Sequence, residues 1–144
     1  LTNAAALYTP EVLALATNLS SWPWDEALPL KGSARSKSCG STLALGLATD
    51  AEGRVTEIGM KAQACAIGQA AAAIFAKAAC GNSGAEIARA ESAIRSWLAG
   101  SGDLPNWPGL DALTAAQAYP ARHGAILLAW QAARELLPTG PLPR

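Results

Sequence analysis

The chain carries little charge and none in excess. Only 15% of its 144 residues are charged, and eleven basic residues balance eleven acidic ones. A nucleic-acid binder needs a basic excess to displace counterions, so that partner class is not expected. Long apolar runs are missing too. Half the chain is hydrophobic, at 51%, yet no stretch approaches the roughly 20 residues of a membrane-spanning helix. No membrane role is expected. Leu1 to Leu7 shows neither the basic start nor the long apolar core of a secretory leader. Cysteine is scarce as well: three residues, an odd number without close pairing, exclude a disulfide framework. Together these absences predict a reducing, cytoplasmic compartment. Histidine occurs once, so any imidazole chemistry rests on a single residue.

What is present is mostly alanine, leucine and glycine, with five tryptophans. The length suits one domain over residues 1–144 around one core. Thr9-Pro10-Glu11 starts a helix: a capping hydroxyl, a proline at the first helical position, then an acid near the positive end of the dipole. Its stripe of Val12, Leu13, Leu15, Ala16 and Leu19 runs to about Leu19. Pro23 and Pro29 make 20–29 irregular, with Trp22 and Trp24 as cover for a sheet edge. A short strand is expected over Lys31–Ser36. Leu43, Leu45 and Leu47 alternate with small residues in a half-buried strand, Ser41–Thr49, and Asp50-Ala-Glu-Gly53 turns it back into Val55–Ala62. Ala66–Ala79 is apolar nearly all round, the mark of a buried helix. Ser83-Gly-Ala-Glu86 has capping-box spacing and opens a helix that Gly100 stops, with Glu91 and Arg95 paired on its polar side. A loop to Gly109, a short helix over Leu110–Gln117 and a last helix from near Pro120 to Leu137 follow, and the tail from Pro138 should fray. Trp97 and Trp130 are expected in the core. There is no internal repeat. The order predicts an α+β fold: a small antiparallel three-stranded sheet with helices packed on one face.

Three chemistry-bearing residues sit where backbone type changes. Cys39 opens a strand, Cys65 ends the next and leads into a helix, and His123 precedes the last helix. Thiolates and imidazole are the ligands of zinc and iron–sulfur sites. On a strand, Cys39 and Ser41 share a face. Counting back from a turn at 50–53 brings residue 39 near residue 64, so pairing geometry makes Cys39 and Cys65 neighbours. Helix N–H groups favour a thiolate at Cys65, and Arg35, Lys37 and Lys61 lie close in sequence. Cys80 is about 22 Å away along an unbroken helix at 1.5 Å per residue and falls outside the site. A nucleophile–base pair of Cys65 and His123 has no orienting third group, so an enzyme is not expected.

In order along the chain, Leu7-Tyr-Thr-Pro-Glu-Val-Leu13, Cys39-Gly40, Cys65-Ala-Ile67 and Pro120-Ala-Arg-His-Gly-Ala-Ile-Leu-Leu-Ala-Trp130 resemble the NifU/IscU-type iron–sulfur cluster assembly scaffolds, including the SufU-like branch. The resemblance covers most of the chain. It implies a scaffold that takes sulfur from a cysteine desulfurase and iron from a donor, builds a transient two-iron cluster, and passes it to recipient apoproteins. Family members use three cysteines, an aspartate and sometimes a histidine. The resemblance matches Cys39 and Cys65 to the first two cysteines and His123 to the position before the third. Gly124 stands where the third cysteine would be, and Ser41 where the aspartate would be. A two-iron cluster wants four ligands, so a fourth would come from a partner, another subunit or a small thiol. A zinc site of Cys39, Cys65 and His123 with one open position is chemically simpler. The alternative to cluster assembly is therefore a scaffold homologue that binds zinc or a desulfurase as a regulator.

Overall fold

Thr9 caps the first helix: its hydroxyl accepts from the Val12 amide at 3.1 Å, and Pro10 takes the first helical position of α1 (Pro10–Asn18). The structure, a computed structural model, describes residues 6–138. The tail expected to fray lies beyond them. After a short 3₁₀ turn, Leu19–Ser21, the chain runs along the sheet as expected of its tryptophans. The Trp22 carbonyl accepts from the Met60 amide on the sheet's open edge. The segment then crosses the sheet's outer face where two glycines oppose each other, Gly46 and Gly59. A Cβ at Gly59 would stand 2.6 Å from the Pro23 carbonyl oxygen, and one at Gly46 would stand 3.1 Å from Leu28. Only glycine admits that crossing.

The sheet is antiparallel, with order β1 (Leu30–Arg35), β2 (Thr42–Thr49) and β3 (Val55–Gln63). Leu43, Leu45 and Leu47 point to one face with their β3 partners Ala62, Met60 and Ile58. Asp50 closes the hairpin by accepting from the Glu52 and Arg54 amides, and Gly53 supplies a φ of +80°. The register differs from simple counting, which would pair 42 with 61. The ladder pairs Thr42 with Gln63. The loop holds one more residue, Arg54, and Thr56 is an unpaired bulge in β3 opposite the Ala48/Thr49 step.

Helices cover the leucine face. α2 (Ala66–Ala79) is buried nearly all round, and α4 (His123–Leu136) lies beneath β1 and β2. α3 (Gly84–Leu98) packs on α4. Its expected capping box is complete: Ser83 Oγ accepts from the Glu86 amide, and the Glu86 carboxylate accepts from the Ser83 amide. Gly100 stops it at φ +80°. Phe75, Trp107 and Trp130 form an aromatic cluster with centroids 5.3–5.7 Å apart, and the Trp107 indole donates to the Ile74 carbonyl at 3.0 Å. Trp97 is buried as expected. The short helix expected over Leu110–Gln117 is 3₁₀, Leu110–Ala118.

Glu91 corrects an expectation. Its expected pair with Arg95 forms, but the polar side predicted for it is not open to solvent: Glu91 is 3% exposed. Arg95 donates to one carboxylate oxygen at 3.1 Å and Arg134 of α4 to the other at 2.7 Å. The buried carboxylate ties α3 to α4, and its partners keep about half their side-chain surface in water. No helix among the described residues is long and apolar enough to cross a membrane.

Candidate functional site

Between β1 and β2 the chain makes a tight turn, residues 36–41, and Cys39 sits in it rather than on a strand. The Ser36 amide donates to the Ser41 carbonyl at 2.8 Å and the Gly40 amide to the Ser36 carbonyl at 2.9 Å. Gly40 takes a φ of +72°, a conformation that side chains resist. The strand pleat expected to align Cys39 with Ser41 is absent, but the turn brings them together. Cys39 Sγ lies 3.1 Å from Ser41 Oγ and 3.4 Å from Ser36 Oγ. Both serines are buried, while Cys39 is exposed.

Those hydroxyls change the thiol. Hydrogen bonding with the Ser36 hydroxyl, then with the Ser41 hydroxyl, holds the Cys39 pKa below the ordinary thiol range; partial burial opposes this, and the Ser41 amide and the Arg122 charge assist. The basic residues expected to help were Arg35, Lys37 and Lys61. The cation that reaches Cys39 is Arg122, from the segment leading into α4. Lys61 instead lies over the Trp24 ring, 5.7 Å from its centroid.

Cys65 is the N-cap residue of α2, half-buried, with extended backbone at φ −66° and ψ 171°. Its carbonyl accepts from the Gln69 amide, and its side chain packs against the core. Three contacts bring the start of α4 to the Cys39 turn and to the first turn of α2. Ser38 Oγ donates to the Ala121 carbonyl at 3.2 Å. Gly124 faces Ser36, whose hydroxyl fills the space a side chain at 124 would occupy. Gly68, one turn into α2, faces Ala125, where a Cβ would stand 3.3 Å from Ala125 Cβ. The Cys39 turn, the α2 cap and the first turn of α4 thus share one end of the molecule.

His123 begins α4, and its Nε2 lies 2.9 Å from the Ala116 carbonyl. A carbonyl only accepts, so Nε2 carries a proton and Nδ1 is the ring nitrogen left for a ligand. Metal-ligating histidines commonly donate their other ring N–H in this way. Even so, among the described residues no three His, Cys, Asp or Glu side chains come close enough to hold a metal ion. The three predicted residues share a region without forming a closed ligand set. Cys80 lies at the opposite end, as expected, with Sγ 3.5 Å from the Thr56 carbonyl.

The architecture has close counterparts among solved structures. The crystal structure of a nitrogen-fixing NifU-like protein (N-terminal) from Brucella abortus superposes with a TM-score of 0.83 at 26% identity, covering 92% of this chain and 93% of that one. The chain has the NifU-like fold. A protein from Fervidobacterium islandicum, assigned as an iron–sulfur cluster assembly scaffold for the SUF system, superposes at 0.82 with 17% identity over 94% of this chain and all of that one. No protein-family model matches the chain, and no curated protein matches it significantly. The α+β class and the three-stranded sheet expected from the sequence are those of this NifU-like architecture.

Two features of the site escaped the sequence. Ser36 carried no signal beyond its place near a strand end. Arg122 stood beside the singled-out His123, but nothing in the sequence connected it with a turn eighty-odd residues away, the separation of the Ser38–Ala121 contact.

Proposed function

We propose that this chain is an iron–sulfur cluster assembly scaffold-type protein of the cytoplasm. Its Cys39 and Cys65 thiolates would hold iron or a transient two-iron cluster, the protein's cargo. The observation that carries this reading is the meeting of the Cys39 turn and the Cys65 cap at the first turn of α4 within a NifU-like fold. Ser36 and Ser41 stabilise Cys39 as a thiolate, the form that binds soft metals. His123 would contribute Nδ1 as a third ligand. A desulfurase, an iron donor or a small thiol would complete coordination, and recipient apoproteins would take the product. The chain itself breaks no substrate bond and is not an enzyme in this role. Anaerobic reconstitution with iron, sulfide and a cysteine desulfurase tests it. Visible thiolate-to-iron charge-transfer absorption should appear and vanish in Cys39→Ala and Cys65→Ala. Absence of that absorption, or its survival in both variants, would sink the proposal.

One observation favours a second reading. Among the described residues the ligand set stops short of three, and glycine stands where the resemblance puts a third cysteine. A homologue that no longer assembles clusters would instead bind zinc or a desulfurase as a regulator. Metal analysis separates the two: stoichiometric zinc lost on Cys65→Ala or His123→Ala supports regulation. Metal-free protein without affinity for a desulfurase defeats it.

A further inference from the structure

β1 presents an open strand edge above a groove. Among the described residues it has β2 on one side and no strand on the other. None of the described hydrogen bonds outside the ladder uses a backbone group of Leu30–Arg35. Alternate N–H and C=O groups along that edge therefore face outward, able to pair with another extended chain. Alongside runs a groove of about 610 Å³. Ser33, Ala34 and Arg35 form one wall, Gln131 and Arg134 of α4 the other, and Lys37 stands beyond the strand end. α4 lies close beneath: a Cβ at Gly32 would stand 2.9 Å from Leu136 Cδ2.

The charges around this groove are uneven. Glu91 lines it, but both its oxygens are held by Arg95 and Arg134. That leaves Arg35 and Lys37 facing one unengaged carboxylate, Glu135. At the strand's far end Lys31 is neutralised by Glu26 at 3.0 Å. Charged residues on an edge often serve only to deter aggregation. Here the unneutralised cations gather at one end, and the middle of the edge, Gly32-Ser33-Ala34, is small and uncharged. A shield would put charge along the middle.

We propose that the β1 edge receives an extended acidic segment of a partner protein as a fourth strand. The segment would exchange backbone hydrogen bonds with Leu30–Arg35 and set its carboxylates beside Arg35 and Lys37. A second copy of the chain is the poorer occupant. Its own β1, Leu30–Arg35, holds no carboxylate to set beside Arg35 and Lys37. The strand runs directly into the Cys39 turn, so the partner segment would end beside that thiol. This proposal stands independently of cluster chemistry.

The test titrates the isotope-labelled full chain, followed by NMR, with a capped peptide of alternating glutamate and valine. Two control peptides accompany it, one N-methylated at alternate backbone nitrogens and one with lysine for glutamate. Shift changes and slowed amide exchange should be confined to β1 and its groove. Either control peptide, and the Arg35→Glu/Lys37→Glu chain, should bind roughly tenfold more weakly or worse, a loss of about 1.4 kcal/mol. The N-methylated peptide leaves the protein untouched, so the test survives a variant that misfolds. Equal binding by either control, shifts elsewhere, or no binding at all would overturn the proposal. So would β1 already protected by self-association without peptide, seen as concentration-dependent sedimentation.

Discussion

The Ser36 hydroxyl occupies the space that a side chain at Gly124 would need. The same oxygen lies 3.4 Å from Cys39 Sγ. One buried serine therefore sets both the environment of the thiol and the volume available at the start of α4.

Gly124→Ala should be destabilising. Alanine in a helix gains roughly 0.5–1 kcal/mol over glycine, but crowding a filled site costs about 1–3 kcal/mol. In a Ser36→Ala background the oxygen is gone and the same substitution should become neutral or stabilising. Urea denaturation of the four chains gives the coupling; additive effects would show that the two positions do not share that space.

Cys39 should be the most readily alkylated thiol at neutral pH, ahead of exposed Cys80. Its pKa lies below the ordinary thiol range because hydroxyls favour the charged form. The sign follows: the thiolate's interaction is complete above the unfolded pKa and is lost as pH falls through the folded one. Ser36→Ala and Ser41→Ala should each move the midpoint of the iodoacetamide rate against pH upward, Ser36→Ala by more. Peptide mapping assigns the labelled cysteine, and an unmoved midpoint in both variants contradicts the hydroxyls' role.

Glu91→Ala should cost about 1–3 kcal/mol, less than the 3–5 kcal/mol of breaking a fully buried pair. The difference arises because Arg95 and Arg134 keep about half their side-chain surface exposed and return to water when the carboxylate is removed. Chemical denaturation measures it. A cost near zero would mean the α3–α4 contact holds without this carboxylate.

Ser83→Ala should cost about 1 kcal/mol through the lost cap. Glu86 is held below the ordinary carboxylate range, first by the Ser83 amide and then by Arg54. Its contribution is therefore present above the unfolded pKa and lost as pH falls through the folded one. The stability gap between the natural chain and Glu86→Ala should narrow on acidification, and thermal melts across that range show whether it does.

Local chemistry made much of this fold legible. Thr9-Pro10, the hairpin turn at Asp50, the capping box at Ser83 and the stop at Gly100 each depend on residues within a few positions, so their structure is written beside them. Cys65 is legible as a helix entry for the same reason. One miss involves a partner distant in sequence, and two involve local features that leave no compositional mark. The Glu91–Arg95 pair is local and shows in the sequence, whereas the burial of Glu91 comes with Arg134, 43 residues on. Alternation continuing backward from Leu43 predicts a strand at Cys39; the turn depends on Gly40 and on bonds between Ser36 and Ser41. The pairing count slipped because a bulge such as Thr56 leaves no compositional mark. The sequence brought Cys39 and Cys65 to one end, but their shared contact with α4 is a tertiary fact.

The hairpin also gives the molecule two ends of different character. Its ladder carries Cys39 and Cys65 to one pole and leaves the Ala51–Gly53 tip at the other, beyond the Thr56 bulge. Extra length at that tip is taken up before regular pairing resumes, so it need not disturb Leu47 onward. For anyone attaching a fluorophore, an affinity tag or a surface, the tip is the natural anchor: a molecule tethered there presents Cys39, Cys65 and His123 to the solution.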